Sequence, residues 1–458
     1  MMKLFNTLTH KIQPFKPLEP KKIKMYVCGV TVYDYAHIGH AKSYIQFDVI
    51  VRYLRFRGFD VFYVQNFTDI DDKIINRANA EKRKWDELAQ CYEKTYIDDM
   101  KQLNVTSVSK LVKATEHITE MIDQIKRLQK KDIAYEIDDG VYFDVSKFSD
   151  YGKLSRQKLE ELQQHRVEPN PQKRNLGDFA LWKKYKPGEP FWNSPWGKGR
   201  PGWHIECSAM GEKHLGATYD IHGGGIDLIF PHHEAEIAQI EAITNKPFVR
   251  YWMHNGFLLI NNEKMSKSLN NFITIRDAIG KWGAMAVRFL FATSHYRSPI
   301  NFTETSMASA KAGFEKLQNT ARDAQRRVHE LSSGKKDSLF VKKIREQKKL
   351  FIQAMDNDFD APKASAALFE VSRLMNSYKG TKQTLEEALK LFMELSDVLG
   401  FVFETSVAVP KFIEDLVLKR DVARKNKDWK RSDELRREIE EHGFNVDDTS
   451  SGTVVRKK

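Results

Sequence analysis

Cysteine is scarce in this chain: its 458 residues contain three, Cys28, Cys91 and Cys207. An odd, widely spaced set excludes a disulfide framework and points to a reducing compartment. No CxxC pair occurs, so no zinc ribbon is written locally. Long apolar runs are equally missing, and nothing approaches the roughly 18 residues needed to span a bilayer. Residues 1–20 hold neither an apolar run nor an arginine, which argues against a signal or transit segment. No internal repeat and no low-complexity tract interrupts the chain. These absences predict a soluble cytoplasmic protein with no membrane partner.

What is there suffices for packed cores: 41% of the residues are hydrophobic and 11% aromatic, which excludes global disorder. The length suggests about three domains. Lys and Arg total 74 against 62 Asp and Glu, a net charge of +12. Excess cations favour a polyanionic partner, because phosphate neutralisation releases counterions. Residues 311–350 carry 12 Lys and Arg against 5 Asp and Glu. That stretch reads equally as a solvated helix face or as an RNA-facing surface. Residues 411–458, with 13 basic and 11 acidic side chains, are charge-dense without being strongly basic.

Ile23 to Val27 is a short β-prone run, and Ala41 to Phe56 has helical apolar spacing through Ile45, Val49, Tyr53 and Phe56. Gly58 stops that helix and Phe59 to Phe67 reads as a second buried strand. Strand, helix, strand in so short a span is a βαβ unit, and a parallel sheet follows. Asp86 to Leu103 reads as a helix with Cys91 inside it, a small and partly buried side chain. Residues 104–200 break the pattern with a helix near Glu116 to Lys130, a hairpin over Tyr135 to Phe143, and a Pro-, Gly- and Trp-rich tract. They read as an insertion. The α/β pattern resumes at Tyr219-Asp220-Ile221-His222 and a helix from about His232 to Thr244. Beyond Trp282 the chain is nearly all helical.

His37-Ile38-Gly39-His40 follows the first strand and opens the first helix. A helix N-terminus offers unpaired N–H groups and a positive dipole end, a natural phosphate site. Gly39 permits close backbone approach, and the two imidazoles can donate to phosphate oxygens that gain charge in a transition state. Lys264-Met265-Ser266-Lys267-Ser268 lies in a polar loop, where two ammonium groups can clamp a pyrophosphate leaving group. Cys28 ends the first strand. Cys207 lies in Trp203-His204-Ile205-Glu206-Cys207, and His232 and Glu236 are spaced i, i+4 on one helix face. His233 and Glu234 then point elsewhere on that helix. Two thiolates, an imidazole and a carboxylate make a plausible zinc set, although by themselves the residues also read as two buried thiols and a surface helix.

The two motifs together resemble the signature pair of class I aminoacyl-tRNA synthetases, and the four metal candidates resemble the zinc site of the cysteinyl-tRNA synthetases. That resemblance runs from the N-terminus to the final lysines; Ala235 stands where asparagine is common. It implies a Rossmann-like parallel-sheet catalytic domain (1–103 and 201–281) split by a connective insertion (104–200). A stem-contact region and helical bundle (282–400) and an anticodon-binding domain (401–458) follow. It implies a cysteine–tRNA ligase that forms cysteinyl-adenylate from L-cysteine and ATP, with Mg²⁺, and transfers it to the 3′ end of tRNA(Cys), as a monomer holding one zinc. Catalysis falls to His37, His40, Lys264 and Lys267, and nucleotide contacts to Gly39, Gly224, Asp227 and Lys267. Substrate contacts fall to Thr68, Trp203 and Asp227, with His204 and His222 helping to line the pocket. The zinc ligands are Cys28, Cys207, His232 and Glu236. Zinc binds thiolate far better than an alcohol, so a zinc with an open position separates cysteine from serine, a change that shape alone discriminates poorly. Two alternatives share parts of this pattern: a related cysteine ligase acting on an amino sugar, and a non-catalytic RNA-binding relative. The C-terminal segment disfavours the first and intact motifs the second. Trp429, Arg431, Asp433 and Arg436 are candidate anticodon contacts.

Overall fold

The computed structural model describes residues 1–157, 170–265, 271–404, 410–449 and 452–457. A hairpin of β1 (Lys3–Asn6) and β2 (Lys11–Pro14) leads into β3 (Lys22–Thr31), α1 (Ile38–Phe56) and β4 (Asp60–Thr68). Then come α2 (Asp72–Glu81), α3 (Trp85–Gln102) and β5 (Lys110–Lys113). After α4 (Ile118–Lys130), the strands β6 (Ala134–Ile137), β7 (Gly140–Phe143), β8 (Phe179–Lys184), β9 (Trp192–Ser194) and β10 (Gly197–Pro201) form one antiparallel sheet in the order β6-β7-β8-β10-β9. α5 (Trp203–Leu215), β11 (Tyr219–Gly225), α6 (Glu234–Thr244) and β12 (Val249–Asn255) return to the first sheet. That sheet is parallel throughout, ordered β12-β11-β3-β4-β5. The expected α/β fold is present. The sheet reaches β5, inside the segment read as insertion, because Lys110-Leu111-Val112-Lys113 is too short and too polar at its ends to stand out as a buried strand.

Alternation along β3 explains where the site forms. Ile23, Met25 and Val27 face one core with Ile45 and Phe47 of α1, while Tyr26 and Cys28 face a second core with Ile205, Cys207 and Met210 of α5. The β3–β4 register shifts between Val27 and Val30. At that irregularity a Cβ on Gly29 would fall 1.5 Å from the Asn66 carbonyl oxygen, so only glycine lets the strands meet there. Cys28 is thus carried into the C-terminal part of the central strand, against α5.

The hairpin β13 (Leu258–Ile260) and β14 (Glu263–Lys264) is followed by α7 (Ile275–Trp282), α8 (Ala284–Ala292) and β15 (Ile300–Phe302). Four long helices come next: α9 (Glu304–Glu330), α10 (Ser338–Met355), α11 (Ala361–Ser377) and α12 (Lys382–Val398). A buried ion pair ties α8 to α1 and to the chain that follows α3 and α12. Arg288 Nη2 lies 2.6 Å from Asp48 Oδ2, and its other donors meet the carbonyls of Leu399, Leu103 and Asn104. Burial opposes ionisation of Asp48, yet Arg288 and Arg52 hold its carboxyl below the usual range. The last unit, α13 (Lys411–Lys425), α14 (Trp429–Glu441) and the hairpin β16 (Phe444–Thr449)–β17 (Gly452–Lys457), has its own small core around Ile413, Leu435 and Ile439.

Two expectations need correction. Cys91 is exposed rather than partly buried, because Leu88, Tyr92 and Tyr96 take the buried face of α3. The basic stretch 311–350 is neither simply solvated nor simply free for RNA. Lys336 and Arg345 pair with Glu387, Lys348 pairs with Glu394, and Arg327 reaches the carbonyl of Met375, so much of its charge joins helices to one another.

Candidate active site

One cavity of about 430 Å³ opens at the C-terminal ends of the parallel strands, the usual place for ligands in such sheets. Cys28, Cys207, His232, Thr68, Trp203, Gly224, Asp227, His37, Gly39, His40 and Lys264 all line it. Of the residues singled out from the sequence, Lys267 lies outside the described residues, Glu236 sits just behind the wall, fully buried, and His204 and His222, expected to help line the pocket, do not reach its surface.

The first motif is a self-capped helix start. His37 is the N-cap of α1, and its Nδ1 accepts from the N–H groups of Gly39 (3.1 Å) and His40 (3.4 Å). In return His40 Nδ1 accepts from the backbone N–H of His37 at 3.3 Å, and the two rings stack with centroids 3.7 Å apart. An imidazole that accepts at Nδ1 carries its hydrogen on Nε2, so this bonding pattern assigns both rings the Nε2–H tautomer. Burial pushes His40 well below its ordinary pKa, with His37 and Lys73 adding to it, so it donates as a neutral ring. A Cβ on Gly39 would lie 2.9 Å from the His37 ring. Lys264 ends the β13–β14 hairpin, and its carbonyl accepts from Asn271 Nδ2 at 3.1 Å across the base of the second motif.

At the other end of the cavity, thiols, imidazoles and a carboxylate converge. The sulfurs of Cys28 and Cys207 are 3.7 Å apart, Cys28 Sγ is 3.5 Å from Glu236 Oε1, and His232 Nε2 is 3.2 Å from the same oxygen. Two sulfurs each about 2.3 Å from one tetrahedral zinc would stand about 3.8 Å apart, so the spacing suits the ion. Among the described residues Glu236 Oε2 is buried without a hydrogen-bond partner. Burial, the largest cause in each case, pushes both thiols and Glu236 up and His232 down, leaving a pocket of neutral donors that a cation would ionise. The donor chemistry therefore fits a zinc ion.

A second set, Cys28, His222, His233 and Glu236, also lies within bonding range of a common point. This corrects the expectation that His233 points elsewhere. Phe230 is extended inside a widened turn over Ile229–His233 and regular α6 begins only at Glu234, so ideal helical spacing does not apply. His233 Nε2 lies 3.3 Å from Cys28 Sγ and His222 Nε2 3.4 Å. Their Nδ1 atoms are taken by His254 (2.8 Å) and Tyr219 (2.6 Å), as outer partners hold metal-site histidines. Cavity access separates the sets: Cys28, Cys207 and His232 line the cavity, whereas His222 and His233 do not. Glu234 does point away, accepting from the N–H groups of Leu154 and Ser155.

The remaining expected residues fall between these ends. Trp203 stacks on His232 at 4.3 Å, and His204 Nδ1 meets His232 Nδ1 at 3.0 Å. Thr68 donates to Glu206 Oε2 at 2.7 Å. Gly224 and Asp227 lie side by side in the wall, and a Cβ on Gly224 would come 2.8 Å from the His233 ring. The sequence reading missed Asn66, whose Oδ1 accepts from Gly29 N at 2.8 Å and lies 3.6 Å from Cys207 Sγ. It also missed Lys42, which donates to the Gly256 carbonyl at 2.6 Å and is pushed down to about 7 by burial. A lysine on the apolar side of a helix was the available signal for Lys42; nothing local marked Asn66.

The C-terminal candidates are split. Trp429 is 57% exposed with the Arg424 guanidinium 5.7 Å from its ring centroid. Arg431 pairs with Glu434 and Arg436 donates to the Val446 carbonyl, so both are engaged within the unit.

Known proteins give concordant matches. The model for the class I (C) tRNA synthetase catalytic domain matches residues 14–312, the DALR domain 350–404, and the cysteinyl-tRNA ligase anticodon-binding domain 407–456. Cysteine–tRNA ligases of Thermococcus onnurineus and Clostridioides difficile are each 47% identical, covering all of this chain and 99% and 100% of their own. Methionyl-tRNA synthetase of Mycobacterium tuberculosis, solved with methionyl-adenylate, superposes with a TM-score of 0.62 at 14% identity, covering 82% of this chain and 90% of its own. A leucyl enzyme of Agrobacterium radiobacter K84, solved as a ternary complex with tRNA, gives 0.63 at 11%, covering 84% and 86%. Among the described residues no helix is long and apolar enough to cross a membrane. The chain belongs to the cysteine–tRNA ligases, within the class I aminoacyl-tRNA synthetases.

Proposed function

We propose that the cavity activates L-cysteine with ATP and then esterifies tRNA(Cys) with it. The observation that carries this reading is a thiol, imidazole and carboxylate cluster opening into the same cavity as a helix-start phosphate site. Cys28, Cys207, His232 and Glu236 would hold one zinc, which supplies a Lewis-acid position where the thiolate of cysteine binds and serine does not. Trp203 and Thr68 flank that position and Asp227 takes the α-ammonium group. At the other end the Nε2–H groups of His37 and His40 meet the phosphates, with Lys264, Lys267 and Mg²⁺ opposing charge that builds on the leaving pyrophosphate. Gly39 and Gly224, both in the cavity wall, would let the nucleotide approach the backbone closely. The terminal ribose hydroxyl of tRNA then attacks the adenylate.

The division into a catalytic domain (1–103 and 201–281), insertion, stem-contact bundle and anticodon reader (401–458) is part of this proposal, as are a cytoplasmic setting and a monomer. The separate core of the last unit supports an autonomous anticodon reader, and exposed Trp429 suits a stacked base. The test is cysteine-dependent pyrophosphate exchange beside charging of total tRNA, for the full chain and for a chain lacking 411–458, which leaves Phe401 and Phe403 in the main core. Intact exchange with crippled charging in the shortened chain is expected. Normal charging by it would remove that role from the segment.

A further inference from the structure

The function proposed above leaves open how the 3′ end of tRNA reaches the adenylate, and the following rests on that reading. The reacting carbonyl would lie between Thr68 and the His37–His40 turn. The adjoining wall of the cavity is built by Thr31, Tyr33 and Lys73; Lys73 reaches activation only through its charge near His40, where burial is the larger cause and keeps that ring neutral without it. Lys73 is the second residue of α2, exposed, with its Nζ 5.5 Å from the centroid of the Tyr33 ring.

Charge accounting isolates this lysine. Nearby Arg77 is paired with Asp34 and Glu81, and Arg276 with buried Asp99. Among the described residues no carboxylate stands within ion-pair reach of Lys73 Nζ. Tyr35, two residues beyond Tyr33 in the chain, is 43% exposed. The Tyr35 ring is held by the Arg276 guanidinium, 5.2 Å from its centroid, and by Tyr92 packed edge-on at 5.3 Å. An unneutralised ammonium on the cavity wall, with an anchored, exposed aromatic ring two residues from the ring it covers, is the chemistry that binds single-stranded nucleic acid, by phosphate pairing and base stacking. A duplex would offer phosphates but no open base face.

We propose that Lys73 and Tyr35 seat the single-stranded 3′ end of tRNA where it enters the cavity, Lys73 against a backbone phosphate and Tyr35 beneath a base. Both are positioning residues: they deliver the terminal hydroxyl and take no part in forming the adenylate.

The test compares the full chain with its Lys73→Ala, Lys73→Arg and Tyr35→Ala variants. Charging kcat/KM for tRNA should fall about tenfold in Lys73→Ala and Tyr35→Ala. Cysteine-dependent pyrophosphate exchange should be retained in all three, and Lys73→Arg should restore charging. Binding is measured with a minihelix ending in single-stranded CCA and with a blunt one. For the CCA-ended probe the slope of log affinity against log salt should shrink by about 0.7 in Lys73→Ala, the contribution of one single-strand phosphate. The blunt probe should bind wild type and variant alike. Parallel loss of exchange and charging, or equal loss of both probes, would overturn the proposal. A wild-type chain that charges no tRNA would instead overturn the function on which it rests.

Discussion

The two ends of the cavity are built by opposite means. The phosphate end is local: His37 to His40 cap one another within four residues, and the geometry is complete as soon as α1 starts. The metal end is assembled at long range, from thiols 179 residues apart that meet because a strand face and α5 share one core. Local construction leaves imidazole edges toward a mobile, highly charged ligand. Long-range construction yields buried donors that are neutral until a cation arrives. In the proposed function the difference matches the step each end would serve: one would select a small ligand before chemistry, and the other would oppose charge during it.

Perturbing each end separately should expose that division. Cys207→Ser has the largest expected effect: bound zinc is lost and cysteine-dependent exchange falls by more than about 10³-fold, beyond the loss of one electrostatic donor. Metal analysis beside exchange assays measures both, and full zinc occupancy in this variant would break the ligand assignment. At the other end, Lys267→Ala should slow adenylate formation by about 10²–10³-fold while zinc content and cysteine affinity stay unchanged. Rapid-quench kinetics reads the rate, and an unaltered rate removes Lys267 from the chemistry.

Smaller effects should grade the metal end. His204 Nδ1 backs His232, whose Nε2 faces Glu236, so His204→Phe should weaken zinc binding about 10–100-fold without emptying the site, as chelator competition would record. Unchanged affinity would sever that outer partner from the metal. Trp203→Phe keeps an aromatic ring against His232 but with less area, and should raise the KM for cysteine by about tenfold or less. A change in kcat alone would place Trp203 in the phosphate chemistry instead.

The same contrast explains what could be read from the sequence. His37-Ile38-Gly39-His40 was legible because a strand end, a glycine and a helix start are all local signals. The parallel sheet was legible from β3, α1 and β4 for the same reason. Cys28 and Cys207 could be joined only through family resemblance, since nothing local says that the faces of β3 and α5 share a core. His233 was misplaced because ideal helical spacing was extended into a turn where Phe230 is extended. Asn66 was invisible: its role comes from the shifted register beside Gly29, a property of two paired strands. The pairing of Lys336, Arg345 and Lys348 with α12 was hidden likewise, because the acidic partners lie on a helix 42 to 51 residues further on.

The most direct test of the central claim is cysteine-dependent pyrophosphate exchange before and after removal of metal, with serine as the competing substrate. The account predicts one zinc per chain, exchange with cysteine and none with serine, loss of exchange on chelation and its return with zinc. Full cysteine-dependent exchange by a chain shown to be free of metal would contradict it.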